Sequence, residues 1–249
     1  MSLNLCTYSS TATAAAALAA RVAQDLLDSL ADSGVALLLV SGGRSPLPLL
    51  TALSQLALPW SRIGVSLVDE RCVPLSHADS NTALVTQHLL VNRAAAASWV
   101  PLLDDALAQS DIDDWQLAAA TALQASENPA LARAAVVILG IGNDGHTASL
   151  FADAPQWTAA RQTAARYVAL QPGQAAHARV GLSLQALRAQ SRCYVWASGA
   201  DKEATIDRIA GQVAALQASH SSGTELAAIG PLALLIADQK ALLDIYCSN

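Results

Sequence analysis

Three largely apolar runs constrain the fold of this chain more than any other feature. They cover residues 35–40, 63–68 and 134–139. Runs of this length and composition are typical of strands that helices bury on both faces. Each run leads into a turn rich in glycine or charged residues, and a helical pattern follows. This alternation predicts an α/β fold with a mostly parallel sheet and helices on both faces.

The rest of the pattern predicts further elements around these strands. A first helix should run from Ser10 to Asp32 and end at Ser33-Gly34. More helices are expected near residues 81–91, 113–126 and 202–210, with a short one from Thr147. Further strands are expected at residues 166–170, 178–183, 192–197 and 232–236. No linker or internal repeat interrupts the 249 residues, so we expect residues 1–249 to form a single α/β domain.

Composition narrows the class of protein. The net charge is −6 and no Lys/Arg-rich run occurs, which argues against nucleic-acid binding. No apolar stretch reaches the roughly 18–20 residues of a membrane-spanning helix. No Lys or Arg precedes Arg21, so the positive region of a secretory leader is missing. The four cysteines lack Cys-x-x-Cys spacing, which favours reduced thiols in a cytoplasmic protein.

The turn at residues 41–46, Ser-Gly-Gly-Arg-Ser-Pro, is the first candidate binding site. Gly42 and Gly43 let backbone N–H groups approach a ligand closely, and the following helix N-terminus favours an anion. Ser45 can cap that helix, with Pro46 at its first position. The turn lacks the spacing of a nucleotide or dinucleotide loop. It therefore indicates either a phosphate site or a plain tight turn with a helix cap.

Charged residues directly follow the second apolar run. Asp69, Glu70 and Arg71 occupy a place where charge is costly unless it is paired or used. Arg71 can hold a phosphate through two parallel hydrogen bonds, and Asp69 can orient a hydroxyl or a cation. An ion pair that closes the end of the sheet is an equal alternative. His77 and His88 fit loop or surface histidines better than ligands.

The third motif follows the strongest strand of the chain. Residues 140–151 read Gly-Ile-Gly-Asn-Asp-Gly-His-Thr-Ala-Ser-Leu-Phe. His146 is the best candidate for a general base, because imidazole titrates near neutral pH. Asp144 lies two residues away and can orient or polarise the ring. Since ligands of such sheets bind beyond the carboxyl ends of the strands, all three motifs occur where a site is expected.

A metal site and a nucleophilic serine are weaker alternatives. Two histidines and two aspartates could converge on an ion, namely His77, Asp79, Asp144 and His146. They lack a tight ligand spacing such as His-Glu-x-x-His. No Gly-x-Ser-x-Gly sequence marks a serine nucleophile. We therefore expect no metal and no cofactor.

The three motifs in this order resemble the 6-phosphogluconolactonase family, the lactonases of the oxidative pentose phosphate pathway. The likeness includes residues 69–74, and it extends to residues 179–183, similar to the family's Arg-x-Thr-Leu-Thr. It also includes residues 198–202, similar to its Gly-x-x-Lys turn, and covers about residues 35–210. Two positions depart from the pattern, Gly181 in place of a usual Thr and Ala152 in place of a frequent Pro.

The resemblance implies a Rossmann-like fold and hydrolysis of 6-phospho-D-glucono-1,5-lactone to 6-phosphogluconate without a metal. It implies that His146 activates water. It also implies that Arg71, Arg179 and Lys202 are the cations that contact the phosphate or the carbonyl side of the substrate. It also implies a cytoplasmic monomer or homodimer whose partner is the small sugar-phosphate lactone, with no nucleic acid or membrane. The expected contacts to substrate or phosphate are Gly42, Gly43, Arg44, Ser45, Asp69, Arg71, Arg179 and Lys202.

Two other functions fit the same scaffold. Related sugar-phosphate deaminases carry an Asp-Glu-Tyr turn and an Asp-Gly-His-Ile-Ala-Phe-Asn-Glu-Pro run. Here Arg71 replaces the Tyr and the Glu of that run is absent, which favours the lactonase. The second alternative is a non-catalytic sugar-phosphate sensor, which would usually carry a DNA-binding helical segment. No basic helix-turn-helix precedes the domain.

Overall fold

A computed structural model describes residues 3–109, 113–219, 223–238 and 243–248. Its ten strands are β1 (Leu3–Tyr8), β2 (Ala36–Val40), β3 (Ile63–Leu67), β4 (Asp69–Arg71), β5 (Ser98–Trp99), β6 (Val136–Gly140), β7 (Tyr167–Leu170), β8 (Arg179–Leu182), β9 (Cys193–Ser198) and β10 (Leu243–Ser248). Seven of them form a parallel sheet in the order β1-β10-β9-β6-β2-β3-β5. The other three form a small antiparallel sheet in the order β4-β8-β7.

The helices of the described residues connect and cover these strands. They are α1 (Thr11–Ser33), α2 (Leu47–Ser54), α3 (Asn81–His88), α4 (Asp105–Ala108), α5 (Asp114–Glu127), α6 (Trp157–Gln162), α7 (Leu184–Arg188), α8 (Ala200–Ala218), α9 (Gly223–Ile229) and α10 (Pro231–Ala237). The helix α1 shows the expected boundaries. The Ser10 side chain accepts from the Thr13 N–H, and Gly34 ends the helix at φ 81°.

The order of the strands explains why helices lie on both faces. The chain moves in one direction across the sheet from β1 to β2, and in the opposite direction from β9 to β10. Crossovers between parallel strands are nearly always right-handed, so opposite directions put α1 and α8 on opposite faces. Packing agrees, since α1 contacts α2 whereas α8 contacts α9 and α10. The predicted α/β fold with a mostly parallel sheet is confirmed.

The central strands end at nearly the same level. Val40 of β2 pairs with Leu67 of β3 and with Ile138 of β6, and Gly140 of β6 pairs with Trp196 of β9. Every residue of β2 is buried, as the continuous apolar run predicts. The turns that follow β2, β3, β6 and β9 therefore emerge side by side at one edge of the sheet.

Three local predictions are wrong. Residues 147–150 form a tight turn and not a short helix, because Ala148 and Ser149 have φ of 53° and 54°, outside the right-handed helical region. Ser45 does not cap α2, whose cap position is Pro46 without a side-chain hydrogen bond. Residues 232–236 belong to α10, since a fully buried apolar run reads the same in a helix as in a strand.

The strands β1 and β10, at one side of the large sheet, lack the continuous apolar run that marks the central strands. The strands β1 and β10 pair in parallel but mix polar with apolar residues. They are held in the sheet by backbone pairing, β1 with β10 and β10 with β9. Within the described residues, no helix combines the length and the hydropathy that crossing a bilayer requires.

Candidate active site

His146 and Asp144 form a hydrogen-bonded pair in the turn after β6. The Nδ1 atom of His146 lies 2.7 Å from Oδ1 of Asp144, and the backbone N–H of His146 donates to the same oxygen at 3.2 Å. The two side chains are 34% and 61% exposed. Burial by itself would raise the pKa of Asp144, but the hydrogen bond and charge of His146 outweigh it and lower that pKa to about 2. Asp144 is therefore ionised at neutral pH.

A glycine makes room for this pair. A Cβ on Gly142 would lie 2.1 Å from Nδ1 of His146 and 2.4 Å from Oδ1 of Asp144. The turn is closed by its own backbone, since the Gly142 N–H donates to the His146 carbonyl at 2.8 Å and the Gly145 N–H to the Gly142 carbonyl at 3.0 Å. The pair is thus held by local geometry.

Phe151 connects the imidazole to a guanidinium. Its ring stacks on His146 with 4.1 Å between centroids, and the Cζ atom of Arg179 lies 5.7 Å from the centre of the Phe151 ring. Phe151 is the one phenylalanine of the chain. A cation beside an aromatic face is stabilised electrostatically, so this ring positions Arg179 near the pair.

Arg71 and Arg179 are register partners across β4 and β8. Nη1 of Arg71 donates to the Asp79 carbonyl at 2.6 Å, and Nη2 of Arg179 donates to the Ala176 carbonyl at 3.1 Å. Burial and the neighbouring charge of Arg71 lower the pKa of Arg179. Within the described residues none of Asp69, Glu70 and Arg71 forms an ion pair, so the alternative of an ion pair closing the sheet is wrong. Two cations side by side form a ready receptor for an anion.

Glu70 fixes the loop that carries Arg71. Its buried carboxylate accepts from the backbone N–H groups of Arg71, Asn81 and Thr82 at 2.7–2.8 Å, and from the Thr82 hydroxyl at 2.8 Å. Burial raises the pKa of Glu70, and these four donors oppose that shift because they stabilise the charged form. Glu70 thereby ties β4 to the start of α3.

The Asp69 side chain is hydrogen-bonded to Ser149 inside the protein. Its Oδ2 accepts from the Ser149 hydroxyl at 2.5 Å, and its carbonyl accepts from the Asn81 amide at 2.9 Å. Ser149 lies in the left-handed turn after His146, so this bond joins the second motif to the third. A Cβ on Gly181 would lie 2.1 Å from the carbonyl oxygen of Ala148 in that turn. Glycine at 181, where the family usually has Thr, therefore allows the turn to pack against β8.

The turn at residues 41–46 packs against the first residue of α3. A Cβ on Gly42 would lie 2.0 Å from Oδ1 of Asn81, so only glycine allows this approach. The carbonyl of Ser45 accepts from the Trp196 indole at 2.8 Å. Gly43 has φ of 91°, which also favours glycine. Arg44 is exposed and makes no side-chain hydrogen bond or ion pair within the described residues.

Several buried polar atoms around this edge have no hydrogen-bond partner among the described residues. They are Ser41 Oγ, Ser45 Oγ, Arg71 Nε, Asn81 Oδ1 and Arg179 Nε. Buried polar atoms are nearly always paired in folded proteins. All but the Asn81 oxygen can donate a hydrogen bond, so four unused donors lie around this edge.

Lys202 lies at the other side of the His146 turn. Its Nζ donates to Oδ1 of Asn143 at 2.6 Å. Burial lowers the pKa of Lys202, while the charges of Asp144 and Asp201 partly offset that shift. The first turn of α8 thus brings a cation to the same turn that holds the imidazole.

Comparison with known proteins places the chain in a family. The family model described as glucosamine-6-phosphate isomerases/6-phosphogluconolactonase matches residues 9–229. The chain belongs to this family. A 6-phosphogluconolactonase of Neisseria meningitidis serogroup A is 40% identical over 205 residues, which cover 82% of this chain and 86% of the relative. One of Pseudomonas aeruginosa is 48% identical over 151 residues, 59% of each chain.

Solved structures agree with the family assignment. The crystal structure of a 6-phosphogluconolactonase from Shewanella baltica matches with a TM-score of 0.84 and 29% identity. The match covers 99% of this chain and 98% of that chain. The Rossmann-like fold expected from the family resemblance is therefore confirmed.

The sequence did not predict the contacts that four further residues make with the candidate site residues. These residues are Glu70, Asn81, Asn143 and Phe151. Glu70 alone carried a usable signal, because an acid directly after a buried strand needs donors. The other three each contact a residue distant in sequence, which no local pattern encodes: Asn81 lies against Gly42, Asn143 accepts from Lys202, and Phe151 lies beside Arg179. His88 lies at the end of α3 and takes no part in the described site.

Proposed function

We propose that this protein hydrolyses 6-phospho-D-glucono-1,5-lactone to 6-phosphogluconate, with His146 as the base that activates water. The relatives named 6-phosphogluconolactonase support the reaction. The observation that carries the chemistry is the 2.7 Å contact between His146 Nδ1 and Asp144 Oδ1 at an edge where three cations gather.

Asp144 gives the imidazole the form that a base needs. An ionised carboxylate accepts a hydrogen bond from the Nδ1–H group, so the ring keeps its proton on Nδ1 and its lone pair on Nε2. Nε2 then takes a proton from water while the water oxygen bonds to C1 of the lactone. The bond from C1 to the ring oxygen breaks, and the imidazolium returns its proton to that oxygen. A δ-lactone is already an activated ester, so this route needs no covalent nucleophile, metal or cofactor.

The cations are proposed to bind the phosphate and the developing oxyanion. Arg71 and Arg179 present unpaired Nε groups at one side of the edge, and Lys202 lies at the other. Gly142, Gly145 and His146 already use their N–H groups within the turn. This favours a cation over those backbone groups as the partner of the oxyanion, where a preorganised charge is most effective.

Phosphate contacts beyond the cations are proposed for the turn at residues 41–46. Ser41 and Ser45 have unpaired hydroxyls, and the backbones of Gly42 and Gly43 lie between them. Arg44 is the exposed member and would reach the substrate from the rim. Asp69 is proposed to act by holding Ser149 and the loop around it, since its Oδ2 is engaged there.

We also propose that residues 1–249 form one cytoplasmic lactonase domain that acts as a monomer or homodimer. One continuous hydrophobic core includes residues of both sheets, which supports a single unit. The four cysteines are unpaired, which suits a reducing compartment.

A lactone assay tests the reaction. Freshly generated phosphogluconolactone is supplied with and without the protein, and 6-phosphogluconate is measured by a coupled dehydrogenase. Formation that rises in proportion to protein concentration, above spontaneous hydrolysis, supports the lactonase. Release of ammonia from glucosamine 6-phosphate would indicate the deaminase, and binding of the sugar phosphate without turnover would indicate a sensor.

A further inference from the structure

Two histidines and an aspartate gather beside the arginine pair. The candidate ligand atoms of His77, Asp79 and His177 all lie within 4.8 Å of one another. Nε2 of His177 lies 3.1 Å from Oδ2 of Asp79, and Nδ1 of His77 lies 3.8 Å from the same oxygen. His177 comes from the loop before β8, 98 residues away in sequence from Asp79. The proposed lactone chemistry uses none of the three side chains.

The spacing of these atoms fits one small ion. Zinc bonds of about 2.0–2.1 Å in tetrahedral geometry separate neighbouring ligand atoms by about 3.3 Å. The two observed separations lie on either side of that value. The two imidazole rings meet edge to face, at an angle of 80° with 5.1 Å between their centroids, so they are not stacked on each other. All three side chains are partly exposed, which gives an ion access from solvent.

Ordinary hydrogen bonding accounts for only part of this arrangement. The backbone N–H of Asp79 donates to Nδ1 of His77 at 3.1 Å, so an ion at that nitrogen would replace this hydrogen bond. Both imidazoles nevertheless approach the same carboxylate oxygen. A metal ion between them would use one lone pair from each ring and neutralise the carboxylate.

We propose that His77, Asp79 and His177 bind one divalent transition-metal ion of the zinc class, with a fourth position open to solvent. Two imidazoles and one carboxylate are typical ligands of zinc, whereas magnesium and calcium prefer oxygen ligands only. The sequence predicted no metal, and the site differs from the weaker alternative in which His77 and Asp79 would converge with Asp144 and His146. It is independent of the proposed lactonase function.

Calorimetric titration of the tag-free full chain with zinc chloride tests the proposal. One zinc per chain is expected, with no competition from a large excess of magnesium. His177→Asn and His77→Asn should each weaken zinc binding by more than about 100-fold, since loss of even an outer-shell partner costs about 10–100-fold. The matched control His88→Asn, on α3, should bind zinc like the wild type.

Cobalt reports the geometry directly. The wild type with one Co²⁺ should show the strong visible absorption of a four-coordinate ion, and His177→Asn should lose it. Thermal unfolding without metal shows whether each variant folds, and Asp79→Asn replaces any variant that does not. Unchanged stoichiometric binding in the histidine variants would overturn the proposal and locate the ion elsewhere, such as at Asp144 and His146. No zinc binding by the wild type would overturn it as well.

Discussion

The carboxylate of Asp144 holds His146 at two points, the ring nitrogen Nδ1 at 2.7 Å and the backbone N–H at 3.2 Å. The two residues are separated by one glycine, so the turn itself brings them together. A carboxylate in this position selects the tautomer with a free Nε2 and stabilises the imidazolium formed during catalysis. The predictions below depend on this relationship and on the cations around it.

Removal of the imidazole should separate catalysis from binding. His146→Ala is expected to lower kcat by about 10²–10⁴-fold and to leave KM nearly unchanged, because a general base acts in the transition state. Steady-state kinetics with corrected spontaneous hydrolysis measure both constants. The matched variant His88→Ala should keep wild-type kcat. A kcat of wild-type size in His146→Ala would remove His146 from the base role.

Removal of Arg71 should act mainly on binding. Arg71→Ala is expected to raise KM by about 10–100-fold, since hydrogen bonds to charged groups contribute about 1.5–3 kcal/mol. Arg133 is exposed and lies before β6, so Arg133→Ala is the control and should leave KM unchanged. An unaltered KM in Arg71→Ala contradicts a phosphate-binding role for this residue.

A methyl group at position 142 should disrupt the Asp144–His146 pair without unfolding the protein. The new Cβ of Gly142→Ala would lie 2.1 Å from His146 Nδ1, so the ring must shift. A displacement of about 1 Å can cost on the order of 10²-fold in rate. Gly211→Ala is the control, because Gly211 lies inside α8 with nothing within 4 Å of a Cβ.

The two glycine variants should therefore affect different properties: Gly142→Ala should change kcat, and Gly211→Ala should change stability. Gly211→Ala is expected to keep wild-type kcat and to raise the free energy of unfolding by about 0.5–1 kcal/mol, the usual gain for alanine inside a helix. Kinetics and denaturant titration measure the two effects. Equal kcat in Gly142→Ala and the wild type would show that the ring position does not limit the reaction.

Acid should weaken the contribution of Asp144 to stability. The pKa of Asp144 falls from 3.8 to about 2 in the folded protein, with His146 as the stabilising partner. A lowered folded pKa means that the contribution is complete above pH 3.8 and is lost as the pH falls towards 2. The difference in unfolding free energy between wild type and Asp144→Asn should shrink across that range. Urea titrations at several pH values measure it, and a difference independent of pH would contradict the assignment.

The central strands and the Asp144–His146 pair could be predicted from the sequence because their determinants are local. The runs at residues 35–40 and 134–139 are apolar throughout, and a strand with helices on both faces has that composition. Asp144 and His146 lie within one glycine-rich turn. The position of the turns at strand carboxyl ends follows from the same alternation.

Other features depend on residues far apart in the chain. Arg71 meets Arg179 only because β4 and β8 pair in a separate sheet, and His177 reaches Asp79 for the same reason. The helix at residues 232–236 could not be recognised in the sequence, because every one of these side chains is buried and the run lacks the periodicity that distinguishes helix from strand. The sequence by itself thus determined the parallel framework and the turn that holds Asp144 and His146, through local backbone preference and burial pattern. Only the tertiary structure decided which cations and ligand atoms meet, because those contacts arise when distant segments pack together.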